Sequence, residues 1–228
     1  MSERYTLFKI NNLYERFHLT PTPDIELKRS YNISPTQTSA VIVQSDGTAK
    51  LELMKWGFIP RGAPDTNSVF RYKTFNARSE GIFSKPRWGE AIRHKRCLVP
   101  ANGFYMWKAS KDGKKPYYVR LKDQELFAMG GIYSSWVDPK GNEWGTYSLV
   151  TTMPNRKMDF LGDRMPVLLA PNEESIWLDP EASDINTIYS LLRPYPDDGL
   201  IIEPVSDDIN SMKIDNPRLV TPLAANEN

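Results

Sequence analysis

The segment TFNARSE, residues 74–80, sets an amide, an arginine and a carboxylate at every second position: Asn76, Arg78 and Glu80. Side chains of an extended chain alternate between two faces, so all three would share one face. A guanidinium fork beside an amide suits phosphate and base recognition. An ordinary salt-bridged strand end uses the same residues, and the sequence alone favours that plainer reading. GDRMPVLL (162–169) poses a similar choice. Asp163 and Arg164 form either a local ion pair at the lip of a buried strand or part of a polar cleft. A third stretch, CLVPANGFYMWK (97–108), reads as a buried strand, a turn and a second strand rich in aromatics. On the exit strand Phe104 and Met106 share one face while Tyr105 and Trp107 share the other. Met106 is either an ordinary core residue or stands where chemistry would need an acid.

Several other chemistries are excluded. Zinc needs about four ligands of the Cys, His or carboxylate type, and Cys97 with His18 and His94 cannot supply a usual set. No metal and no cofactor are expected. A serine–histidine pair would have to use one of the two histidines. His18 ends an amphipathic stretch and His94 lies in a basic run, so a surface position is expected for both. There is no GxxxxGK[ST] phosphate loop, and PKGNEWG reads as a hairpin turn. The single cysteine rules out an internal disulfide framework and suits a reducing compartment. MSERYTLFKINN lacks the apolar core of a secretory signal, and no run approaches the ~20 apolar residues of a membrane span. The expectation is a soluble, cytoplasmic protein.

These residues need a scaffold to position them. Leu7, Ile10, Leu13, Tyr14 and Phe17 recur at helical spacing and predict a helix over 6–18. SAVIVQSDGTAKLELMKWGF predicts a hairpin around Asp46–Gly47. Residues 61–75 read as a loop with RGAPDTNS at its tip, and a short turn precedes a helix over 87–95. The segment 97–153 is dominated by strands, with turn signals at KDGKK, AMGGIY and DPKGNEW. APNEESIWL and ASDINTIYSLLR predict short helices with Asn172 and Ser183 as N-caps, and LIIEPVS is the last strand. The fold class is α+β, with a largely antiparallel sheet or barrel.

A net charge of +1 conceals two opposite halves. Residues 1–122 hold 22 Lys and Arg against 10 Asp and Glu, and residues 123–228 hold 7 against 18. KPRWGEAIRHKR (85–96) and KASKDGKKPYYVRLK (108–122) interleave aromatics with cations, a mixture suited to a polyanion with stackable bases. Two solvated faces that attract one another within the fold explain the same asymmetry.

In order and spacing, YNISPTQ (31–37), KWGFIP (55–60), FNARSE (75–80), RCLVPANGFYMWK (96–108), LVTT (149–152), GDRMPVLL and VSDDINSMKIDNPRLVTP (205–222) resemble the SRAP family, the SOS-response-associated peptidase-like, abasic-site-processing proteins. The resemblance implies one SRAP-like domain over 1–222, with a tail at 223–228. It implies an antiparallel β-barrel-like core flanked by short helices, and a positive groove for single-stranded DNA. Family members lose the initiator methionine and expose a cysteine at position 2. Its amine and thiol condense with the aldehyde of a ring-opened abasic site to form a thiazolidine crosslink. A glutamate in GFYEWK and a histidine just before DRMP handle the protons, and an asparagine and arginines position sugar and phosphates.

Carried onto this chain, the pattern splits. Arg4 stands at the N-terminal arginine position, Asn76 and Arg78 at the NAR positions, and Thr151 in the strand lining the same pocket. These four are the expected DNA-binding residues. The reacting groups are replaced: Ser2 stands for the cysteine, Met106 for the glutamate and Gly162 for the histidine. The resemblance therefore implies a monomeric protein that binds single-stranded or abasic-site DNA non-covalently, with crosslinking and autopeptidase chemistry lost. Two further readings stand beside it. One is a protein-interaction module whose acidic stretch 171–208 meets a protein partner. The other is a residual Schiff-base lyase acting through the Ser2 amine.

Overall fold

The chain's first regular element is a strand where apolar spacing predicts a helix. The computed structural model describes residues 4–22, 25–63, 65–66, 68–111, 113–182 and 184–224. In chain order its elements begin with β1 (Tyr5–Leu7), α1 (Leu13–Arg16), β2 (Ser30–Ile33), β3 (Thr38–Ser45) and β4 (Thr48–Trp56). There follow α2 (Ser68–Tyr72), β5 (Asn76–Arg78), α3 (Gly89–His94), β6 (Arg96–Ala101), β7 (Gly103–Ser110) and β8 (Gly113–Leu121). The remainder is β9 (Phe127–Val137), β10 (Glu143–Thr152), β11 (Met165–Pro166), β12 (Leu168–Leu169), α4 (Pro171–Leu178), α5 (Ile185–Leu191) and β13 (Leu200–Pro204).

The helix predicted over 6–18 is thus a strand followed by a single helical turn. Tyr5 pairs with Ile33 of β2 on one edge and Phe104 of β7 on the other. Pairing on both edges and full burial of Tyr5, Thr6 and Leu7 override the helical spacing. Asn102 ends the strand: its Oδ1 accepts from Phe8 N at 2.7 Å and Lys9 N at 3.0 Å.

The sheet formed by β10, β4, β3, β6 and β9 closes into a five-stranded barrel, because β9 also pairs with β10. Every pairing round the barrel is antiparallel except β4 with β10, which runs parallel at Lys55–Thr146 and Trp56–Tyr147. The α+β expectation with a barrel-like core holds. The predicted hairpin joins β3 to β4, with Asp46 at φ 53° and Gly47 at φ 73°, the positive pair a two-residue type I′ turn requires. AMGGIY, by contrast, is no turn. It lies inside β9, and its glycines are there for close approach: a Cβ on Gly131 would stand 2.8 Å from Cys97 Sγ.

A second, antiparallel sheet has the order β13–β8–β7–β1–β2. The chain passes from the barrel into this sheet at Asn102, between β6 and β7. Gly103 permits the crossing, since a Cβ there would lie 2.3 Å from the Tyr118 ring.

Other local expectations shift in detail. The loop at 61–75 contains α2. The start of α4 is capped at Ala170, not Asn172: Pro171 follows it, and the Glu173 carboxylate accepts from Ala170 N at 2.9 Å. Ser183 falls outside the described residues, and Asp184 caps α5 by accepting from Asn186 N and Thr187 N. His18 and His94 are exposed. Within the basic run 85–96, Arg96 is buried and donates to Trp177 O at 2.6 Å and Ile92 O at 2.9 Å, tying α3 to α4. Arg93 likewise donates to Phe83 O and Gly89 O. Two of that run's cations therefore serve the fold. Among the described residues no helix is long and apolar enough to cross a membrane, and no three His, Cys, Asp or Glu side chains gather as metal ligands.

Candidate functional site

The pleat of β7 sorts its side chains as the alternation requires. Phe104 and Met106 enter the main core, whereas Tyr105 and Trp107 pack with Tyr118, Val205, Ile209 and Leu219 on the other face. Met106 is completely buried. Opposite it lies the turn after residues 159–161, where Gly162 has φ 151° and ψ 179°, a region essentially reserved for glycine. Among the described residues, a Cβ placed on Gly162 would meet Met106 Cε, at 3.7 Å. Two positions separated by more than fifty residues thus face one another, and neither carries a group that can hold a proton.

A polar group is assembled by the short parallel pairing of β5 with β10. Its register sets Asn76 beside Leu149, Ala77 beside Val150 and Arg78 beside Thr151. Asn76 is half-buried, Thr151 buried and Arg78 exposed, with no ion-pair partner for Arg78 among the described residues. Thr151 Oγ1 lies 3.4 Å from Ala77 O, which fixes the hydroxyl against β5.

Arg164 closes this group from beneath. Its side chain is 4% exposed and donates to Glu80 Oε1 at 2.7 Å, to Thr151 O, and to Thr151 Oγ1 at 3.3 Å. The choice left open for GDRMPVLL is resolved in favour of the polar cluster: Arg164 pairs with Glu80, and Asp163 is exposed. Glu80 does not extend the Asn76–Arg78 strand face, because β5 ends at Arg78. Burial pushes the Glu80 carboxyl up, but the hydrogen bond and charge of Arg164, with backbone help, outweigh it and hold the carboxyl below its ordinary value. Sequence reasoning missed this pair. Both residues were visible, but nothing local joins positions 80 and 164.

Arg4 enters from the other sheet. Its carbonyl accepts from Tyr105 N at 3.0 Å, so Arg4 lies alongside β7. Its guanidinium donates to Asn32 Oδ1 at 2.6 Å and Ile209 O at 3.1 Å, tying β2 to the C-terminal segment. The structure therefore brings Asn76, Arg78 and Thr151 together, sets Met106 against Gly162, and engages Arg4 with Asn32 and Ile209. Ser2 lies outside the described residues.

A five-stranded barrel continuous with an antiparallel sheet, carrying an amide, an arginine and a hydroxyl along one parallel strand pair, defines a class of α+β proteins with a polar site at a strand junction. Residues 1–212 match the family of SOS response associated peptidases, SRAP. The Abasic site processing protein YoqW of Bacillus subtilis is 37% identical over 223 residues, covering 96% of this chain and 99% of that protein. The Abasic site processing protein YoaM of the same organism is 35% identical over 223 residues, covering 96% and 97%. A crystal structure of a Bacteroides thetaiotaomicron protein superposes with a TM-score of 0.87 at 29% identity, covering 96% of this chain and 99% of the other. The chain belongs to the SRAP family.

Proposed function

We propose that this protein binds single-stranded and abasic-site DNA without forming a durable covalent bond. The names of its relatives support abasic-site DNA as the partner class, and the exposed Arg78 beside Asn76 and Thr151 supplies cationic and hydrogen-bonding groups for a sugar–phosphate chain. The observation that carries the loss of chemistry is that Met106 Cε lies 3.7 Å from where a Cβ on Gly162 would stand. A buried thioether faces a backbone with no side chain where the family resemblance implies an acid and a histidine. Loss of general acid–base help costs on the order of 10²–10⁴-fold in rate. A serine hydroxyl at position 2 is also a far weaker nucleophile than a thiolate unless a base activates it.

The test is trapping on single-stranded DNA with and without an abasic site, with one sample reduced by borohydride before a denaturing gel. The expected result is salt-sensitive native binding and no covalent band without reduction. A band without reduction overturns the reading. A band only after reduction assigns a transient Schiff base to the Ser2 amine, checked by blocking that amine. No binding at all moves the interaction module to first place.

A further inference from the structure

The hairpin of β7 and β8 carries a like-charged pair that the fold does not explain. The register sets Lys108 directly opposite Lys115, with Met106 opposite Tyr117 one step inward on the same face. Like charges directly opposed across strands are destabilising. Lys111 and Lys114 lie near the same tip, and none of the four lysines has an ion-pair partner among the described residues.

An aromatic ring stands between this cationic end and the Met106–Gly162 pair. Phe160, two residues before Gly162, is 46% exposed and its neighbour Asp159 is exposed too, whereas Met158 and Leu161 of the same turn are buried. Tyr117 meets it edge-to-face at 5.5 Å, and Lys108 Nζ stands 5.5 Å from its ring centroid. One continuous face thus runs from the apolar slot through Tyr117 and Phe160 to a lysine pair. Its chemistry is a flat apolar surface followed by concentrated positive charge, which matches a nucleobase followed by its phosphate. A carboxylate-rich peptide would satisfy the lysines but would leave the exposed ring unused.

We propose that Phe160 is a stacking platform for an unpaired nucleobase and that Lys108 and Lys115 together hold the adjoining phosphate. This rests on the DNA-binding reading and deepens it, by assigning a base-contacting element outside the Asn76–Arg78–Thr151 group.

The experiment compares binding of the full chain to an oligothymidylate and to an equal-length strand of base-free deoxyribose phosphates, across a salt series. Wild-type protein is expected to prefer the strand with bases. Phe160→Ala is expected to weaken oligothymidylate binding on the order of tenfold to a hundredfold and leave the base-free strand unchanged. Lys108→Ala with Lys115→Ala is expected to weaken both strands and to flatten the log–log salt slope by about 0.7, one phosphate contact's worth. Phe160 is exposed, so its removal should leave the melting temperature unchanged, and a melt in parallel checks this. If wild type binds both strands but Phe160→Ala keeps the preference for bases, the platform is wrong and the DNA-binding reading survives. An unchanged slope in the double lysine variant likewise leaves a solvated hairpin tip. If wild type binds neither strand, both proposals fall together.

Discussion

The two sides of the candidate site are built on opposite terms. On the β5–β10 side, Asn76, Arg78 and Thr151 are set by backbone register and braced by Arg164, whose charge is answered by Glu80. On the β7 side, the Met106 methyl group lies 3.7 Å from where a Cβ on Gly162 would stand, and neither residue has a polar side chain. The first side presents an amide, a guanidinium and a hydroxyl along one strand pair. The second cannot give or take a proton. The proposed function assigns binding to the first side and a loss of proton transfer to the second, so the two can be tested apart.

The sharpest way to break this contrast is Met106→Glu. A carboxyl enclosed by apolar side chains has its folded-state value raised, so its unfavourable contribution is absent below the unfolded value and grows as pH rises. The expected loss is roughly 4 kcal/mol at pH 7, increasing by about 1.4 kcal/mol per pH unit above about 4.3 until the folded group itself ionises. Chemical denaturation between pH 4 and 8 measures it. A pH-independent loss would mean that a polar partner reaches the slot, and the two sides would no longer differ in kind. Refilling the other position is also obstructed, because Gly162→His must leave a conformation that costs a non-glycine residue on the order of 1–3 kcal/mol.

Arg164→Met probes the polar side and should cost about 2–3 kcal/mol, mostly the buried charge-assisted bond to the Thr151 carbonyl. Its pH dependence has the opposite sign. Glu80 is held below its ordinary value, so its share of the stabilisation is present above the unfolded value and is lost as pH falls through the folded one. Because half of the Glu80 side chain is exposed, solvent screens most of that share. Wild type and variant should therefore converge only slightly in acid. Strong convergence would place most of Arg164's contribution in the Glu80 contact rather than in the Thr151 carbonyl.

The contrast was partly legible before any coordinates. Alternation along FYMW put Met106 on the face of Phe104 without deciding between core and acid position, and the Asp46–Gly47 turn set the β3–β4 hairpin, because both rest on neighbours in sequence. The resemblance singled out Asn76, Arg78 and Thr151, which the β5–β10 register sets side by side. What failed to show was whatever depends on distant strands. Helical spacing at Leu7, Ile10 and Leu13 lost to β1 pairing with strands around residues 30 and 104. Glycines 130 and 131 read as a turn, although their role is to admit Cys97 and Trp177 at close range. Arg96 looked like one more cation in a basic run, yet it lies buried beneath α4. Charge runs give sign but not burial, and the Glu80–Arg164 pair spans 84 positions with no local signal.

The smallest expected effect on the fold is also the most discriminating. Arg78 is exposed and has no ion-pair partner among the described residues, so Arg78→Ala should change stability by no more than about 0.5 kcal/mol. If Arg78 contacts a phosphate, the same change should lower single-strand affinity and reduce the log–log salt slope by about 0.7. Arg4→Ala offers the opposing case. Its guanidinium links Asn32 to the Ile209 carbonyl, so its loss should lower stability by about 1–3 kcal/mol through the polar groups left without their donor. Melting curves and salt-dependent anisotropy on the two variants separate a cation kept for a ligand from one kept for the fold. Equal loss of stability in both would mean that Arg78 is a structural group, and the polar side would then have no cation free to meet DNA.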